Sequence, residues 1–248
     1  MNIYNPIRIT PGNVLILLIL FFIVFNLHSI QKPYILDEVP FIIAANAVSD
    51  TGLPVIYEDG EAFVTGLWHP PLYIYLLALS FKVLGVSEVS ARIVGVIFSI
   101  GTIILVYLLS LEIFKENKNK MHIALAGSFI YSINPLILQS STLIDIDNSL
   151  LPFLITLFFV FFVKTKTMKN NARLPILGLI FGILLWSKIS TPVFIMVSIF
   201  IFYVLNKEFK KGLVDPVIIS SIGGAFFFTY MVSFLQYYRF AILRTIPA

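Results

Sequence analysis

The chain has 248 residues, of which 58% are hydrophobic and 12% charged, with 24 Phe and a formal net charge of +4. Soluble domains carry about a quarter charged residues, so this composition cannot wet the surface around a single core and excludes a soluble globular enzyme. The absence of cysteine removes disulfides, thiolate metal sites and a Cys nucleophile, and His28, His69 and His122 are too dispersed for a spaced metal motif.

In chain order, the first apolar block covers residues 11–30. It has no basic approach beyond Arg8 and no small-residue cleavage site after it, so it reads as a retained anchor and first span. Residues 31–90 read as a long external loop carrying interfacial helices. Within it, the apolar stretch 70–84 reaches about 22 Å, short of a bilayer core of ~30 Å. It is therefore expected to lie in the interface, with Tyr73 and Tyr75 at headgroup depth. Further blocks at 91–113, 122–140, 149–163, 174–188, 191–205 and 213–235 complete seven spans, with 141–148 a second external loop. Lipid offers no hydrogen-bond partner to bare backbone, so the spans are helices and the fold class is an all-α polytopic membrane protein.

Charge placement gives the expected orientation. Ten of the 17 basic residues cluster in three short segments: Lys115, Lys118 and Lys120; Lys164, Lys166, Lys169 and Arg173; and Lys207, Lys210 and Lys211. Under the positive-inside tendency these loops and the amino terminus are cytoplasmic in a cell (plasma) membrane, and no nucleic-acid partner is implied. The acids then gather outside. Glu58, Asp59 and Glu61 form a turn-like run that reads as a solvated loop, whereas Asp37-Glu38, and Asp145 with Asp147, sit inside apolar stretches at the membrane surface. Partial desolvation there raises a carboxylate's basicity. A capping role for Asp147 or Ser149 is the plainer alternative for the second pair.

Three motifs carry a family resemblance. Leu36-Asp37-Glu38-Val39-Pro40-Phe41 follows the first span, Trp68-His69-Pro70-Pro71-Leu72-Tyr73 comes next, and Gly85-Val86-Ser87-Glu88-Val89-Ser90-Ala91-Arg92 leads into the second. Together they resemble the amino-terminal signature of the GT-C glycosyltransferases, in the branch of protein O-mannosyltransferases and aminoarabinose transferases. Members of that family carry an Asp-Glu pair in the first external loop, a membrane-lying His-Pro-Pro-Leu helix and an Asp in the second loop. Residues 178–192, closing in Trp186-Ser187-Lys188-Ile189-Ser190-Thr191-Pro192, resemble the family's Gly-rich helix more loosely, because Ile189-Ser190 stands where relatives have Gly. Typical members continue for several more spans, so the chain is expected to be a seven-span module of that architecture: a minimal form, a truncated member or one part of something larger.

The resemblance implies transfer of a sugar from a polyprenyl-phosphate carrier to a lipid, protein or glycan acceptor at the outer membrane face. It assigns catalysis to Asp37, Glu38 and Asp147, with Asp37 deprotonating the acceptor. For the donor phosphate it points to His69 and Arg92, while Lys82 and Lys188 are further candidates as cations near the outer helix ends where negative charge develops; a snorkelling interface anchor is the plainer alternative for Lys82, Arg92 and Lys188. Asp145 and Trp68 are expected to touch substrate, with a place in the interfacial aromatic belt the alternative for Trp68. No obligatory metal is expected, although Asp145 and Asp147 are oxygen donors of the kind Mg or Mn takes. A non-catalytic module that binds a prenyl lipid or a partner is the alternative, and a transporter is disfavoured because charges gather at span boundaries.

Overall fold

In a computed structural model the structure describes residues 10–58, 61–64 and 70–233. Helix α1 (Pro11–Asn26) starts at Thr10, whose hydroxyl accepts from the Asn13 amide at 3.3 Å, with Pro11 pre-set for the first turn. Two 3-10 turns, Ser29–Gln31 and Leu36–Glu38, lead into α2 (Val39–Thr51). That helix stops at Gly52, whose φ of 74° is left-handed. A short antiparallel hairpin follows, β1 (Val55–Glu58) and β2 (Glu61–Val64), with Val55 opposite Val64 and Glu58 opposite Glu61. The all-helical expectation did not include it, yet the Glu-Asp-Gly-Glu sequence stands between two short apolar runs, a pattern that suits hairpins.

Helix α3 (Leu72–Leu84) ends at Gly85, and α4 (Glu88–Ile113) opens on a reciprocal Ser87/Ser90 capping box. Then come α5 (Lys120–Ile133), α6 (Pro135–Ser140), α7 (Leu150–Lys164), α8 (Asn170–Ser187), α9 (Ser190–Leu205) and α10 (Phe209–Ser233). The block 122–140, expected as one span, is broken at Asn134, which is extended (ψ 122°). The cause is Pro135, which disfavours the helical region for the residue before it and donates no amide hydrogen bond. Asn134 then caps α6 by accepting from the Leu136 amide at 2.9 Å.

Among the described residues, three helical stretches are long and apolar enough to cross a membrane by length and composition: Pro11–Gln31, Glu88–Ile113 and Phe209–Thr229. Shorter apolar helices, including Leu150–Lys164 and Ser190–Leu205, pack among them. Many outward side chains are apolar, among them Leu17, Phe25, Phe194 and Phe228. The interior joins α3, α4, α7, α8 and α9 through Leu77, Ala91, Leu154, Phe158, Leu177 and Ile199. Tyr73 belongs to this core at 1% exposure rather than to a headgroup belt, because its helix turns that face inward against Phe41. Helices α8 and α10 meet through glycine. A Cβ on Gly223 would lie 2.9 Å from both the Gly178 carbonyl oxygen and the Gly182 nitrogen.

Candidate active site

The segments that follow α1 and α6 converge on the first turns of α4. There the side chain of Arg92, 3% exposed, meets Glu38, 2% exposed. Arg92 Nη1 donates to Glu38 Oε1 at 2.7 Å and Nη2 to Oε2 at 2.8 Å, a bidentate pair. The remaining guanidinium hydrogens go to backbone carbonyls: Nε to Lys32 (3.2 Å), Nη1 to Thr142 (2.5 Å) and Nη2 to Pro33 (2.8 Å). All five donors of an arginine are thereby used. Glu38 in turn accepts from the amides of Ile35 and Ile144, each at 2.9 Å. Burial alone would raise the Glu38 carboxyl, but the Arg92 hydrogen bonds, the two amides and the guanidinium charge outweigh it and hold the group below its usual value. The sequence assigned Arg92 to donor phosphate and Glu38 to catalysis. In the structure each is taken up by the other and by backbone partners, and together they tie the two acidic loops.

Asp37, one residue earlier on the same 3-10 turn, is exposed. Anchoring Glu38 inward turns its neighbour outward, into a cavity of about 380 Å³ lined by Asp37, Phe41, Leu143, Asp145 and Asn148 among others. Asp145 is held by Asn148, whose side-chain amide donates to Oδ2 at 3.3 Å. The second loop therefore presents Asp145 to the Asp37 cavity, whereas the sequence favoured Asp147. Asp147 points elsewhere and accepts from Lys188 Nζ at 2.5 Å, with the pair partly open to solvent. Behind Asp145 lies the buried Tyr73 hydroxyl, beside Ser149; burial first, and then the Asp145 charge, push its pKa up.

Lys82 is exposed on the last turn of α3 and lines no part of the Asp37 cavity. Trp68 and His69 lie outside the described residues. Sequence reasoning missed the backbone contacts of Lys32, Pro33, Thr142 and Ile144, because a carbonyl or an amide carries no residue-type signature. It also placed Arg173 in a basic loop. In the structure Arg173 lies within α8, buried, where it donates to Asp215 of α10 at 3.3 Å and to the Tyr203 hydroxyl of α9 at 2.8 Å. Among the described residues no group of three or more His, Asp or Glu converges as metal ligands would.

Apolar helices of spanning length, together with a loop-built cavity lined by Asp37, Asp145 and the arginine-bound Glu38, define a polytopic membrane protein. A family profile described as Dolichyl-phosphate-mannose-protein mannosyltransferase matches residues 68–237, more than half of the chain, and the protein belongs to that family, within the GT-C superfamily. Among solved structures, the chain is similar to the crystal structure of ArnT from Cupriavidus metallidurans bound to undecaprenyl phosphate. The TM-score is 0.65 at 13% identity, over 92% of this chain and 43% of that one. At that identity the likeness is one of fold, and the chain spans less than half the length of ArnT. No curated protein matches the chain.

Proposed function

We propose that the protein moves a sugar from a polyprenyl-phosphate carrier to an acceptor hydroxyl at the outer membrane face, with Asp37 as the general base. The observation that carries this reading is the shared cavity of Asp37 and Asp145, formed by two loops that Glu38 and Arg92 hold together. Asp37 accepts the acceptor's proton as its oxygen forms the bond to the anomeric carbon; the bond from that carbon to the carrier phosphate breaks, and the phosphate leaves with the electron pair. Asp145 orients the acceptor from the opposite loop. Lys188, a partly open cation now paired with Asp147, is suited to the charge that develops on the leaving phosphate. The undecaprenyl phosphate named with ArnT supports a carrier of that class. No metal is required by this scheme, so chelation is expected to leave turnover intact, and loss restored by added manganese would overturn that part.

The deciding experiment is transfer from a polyprenyl-phosphate sugar by Asp37→Asn in the full chain. Turnover is expected to fall by at least about 100-fold, the usual worth of a general base, with insertion and folding unchanged. Wild-type turnover in a correctly inserted Asp37→Asn protein would remove Asp37 from the reaction.

A further inference from the structure

A second cavity of about 390 Å³ lies between the end of α1 and the α5–α6 break. Its walls are apolar, from Phe21, Phe25 and Leu138, and its rim carries Ser29, Gln139 and Lys32. Phe21 and Phe25 are 46% and 59% exposed on the outer surface of the bundle, the face an apolar helix turns to lipid. Among the described lining residues there is no Asp or Glu, and Lys32 makes no ion pair among the described residues. An open apolar wall beneath one uncompensated cation fits an amphiphile with an anionic head. The groove and the Asp37 cavity share no lining residue. Lys32 and Thr142 line the groove while their carbonyls accept from Arg92; Glu38 and Ile144 line the cavity. A head group at Lys32 is therefore set apart from Asp37 by the Glu38–Arg92 pair, which suits a resident bilayer lipid rather than a reacting carrier.

We propose that this groove binds an anionic glycerophospholipid, with the phosphate at Lys32 and an acyl chain along Phe21 and Phe25. The bound lipid then braces the backbone that holds Arg92, so that it supports the geometry of the cavity from behind. The site stands on its own geometry and does not depend on the transferase reading.

The test is lipid binding by the full chain in uncharged detergent, read by native mass spectrometry. The probes are phosphatidylglycerol, phosphatidylcholine, undecaprenyl phosphate and inorganic phosphate. Phosphatidylglycerol is expected to bind more tightly than phosphatidylcholine. Lys32→Gln, which keeps the carbonyl that Arg92 uses, is expected to weaken phosphatidylglycerol about fivefold, the worth of one cation near an anionic head group. Leu138→Trp, which fills the groove, is expected to abolish binding. Equal affinity for the two phospholipids, or an unchanged affinity in Lys32→Gln, overturns the proposal. Displacement of phosphatidylglycerol by undecaprenyl phosphate at equal concentration reassigns the groove to the carrier, and displacement by inorganic phosphate reassigns it to a free anion; either result overturns it. Because binding is read directly, an inactive enzyme leaves this outcome untouched.

Discussion

Asp37 and Glu38 are neighbours in the chain and opposites in environment. Glu38 is sealed against a guanidinium and two amides, while Asp37 faces an open cavity. Removing one partner of a buried, hydrogen-bonded ion pair strands the other charge, which typically costs about 3–5 kcal/mol. Arg92→Met is therefore expected to lower the unfolding midpoint sharply and reduce the folded yield. Arg92→Lys is expected to rescue little of it, since an ammonium cannot reproduce the fork that serves both carboxylate oxygens and three carbonyls. Thermal melts of the two variants in one detergent check this; a wild-type melting point for Arg92→Met would show the pair to be dispensable. The pH dependence follows from the depressed Glu38 carboxyl. Its stabilisation is full above the usual carboxylate pKa and is lost as pH falls through the lowered value, so acid melts are expected to flatten in Glu38→Gln relative to wild type.

At the scale of elements, α8 and α10 make a close helix contact where side chains are missing. Gly178 and Gly182 of α8 face Gly223 of α10, and a Cβ at Gly223 would press on backbone atoms that cannot rotate away. Gly224, next along, has open space around its would-be Cβ. Gly223→Ala is expected to destabilise by about 1–3 kcal/mol and Gly224→Ala to be near neutral, measured by chemical unfolding in micelles. Equal melts for the two would show that α8 and α10 separate without cost. Elements also mark how far the sequence could be read. Apolar blocks made the helical fold class legible, because period and length depend on residue type alone. The break at Asn134 was legible only through Pro135, and the inward face of Tyr73 was not legible, since burial of a 13-residue helix depends on what packs over it. Likewise the two acidic loops stood out by composition. Which acid of each loop faces the cavity did not, because Glu38 is turned inward by Arg92, 54 residues away, and Asp147 is drawn off by Lys188, 41 residues away.

Over the whole molecule, the helices alternate so that the turns around Lys118, Lys166 and Lys207 lie at the end of the bundle opposite Asp37, Asp145 and Lys188. The expected orientation puts the basic end in the cytoplasm. In this Cys-free chain, Lys118→Cys is expected to react with a membrane-impermeant maleimide only after the cells are opened, and Asp50→Cys in intact cells. Labelling of position 118 from outside would invert the topology and place the carboxylate cavity on the cytoplasmic side.

Three of the five hydrogen bonds that Arg92 donates end on main-chain oxygens, at Lys32, Pro33 and Thr142. A contact of that kind is blind to the side chain that carries it. As far as these contacts go, the positions around the arginine can change identity while the joint survives, and alanine at 142 should leave the Glu38–Arg92 pair undisturbed. Only Glu38 and Arg92 themselves are read letter by letter. Such a joint lets the surface it supports be rewritten for a new lipid or acceptor without rebuilding its foundation.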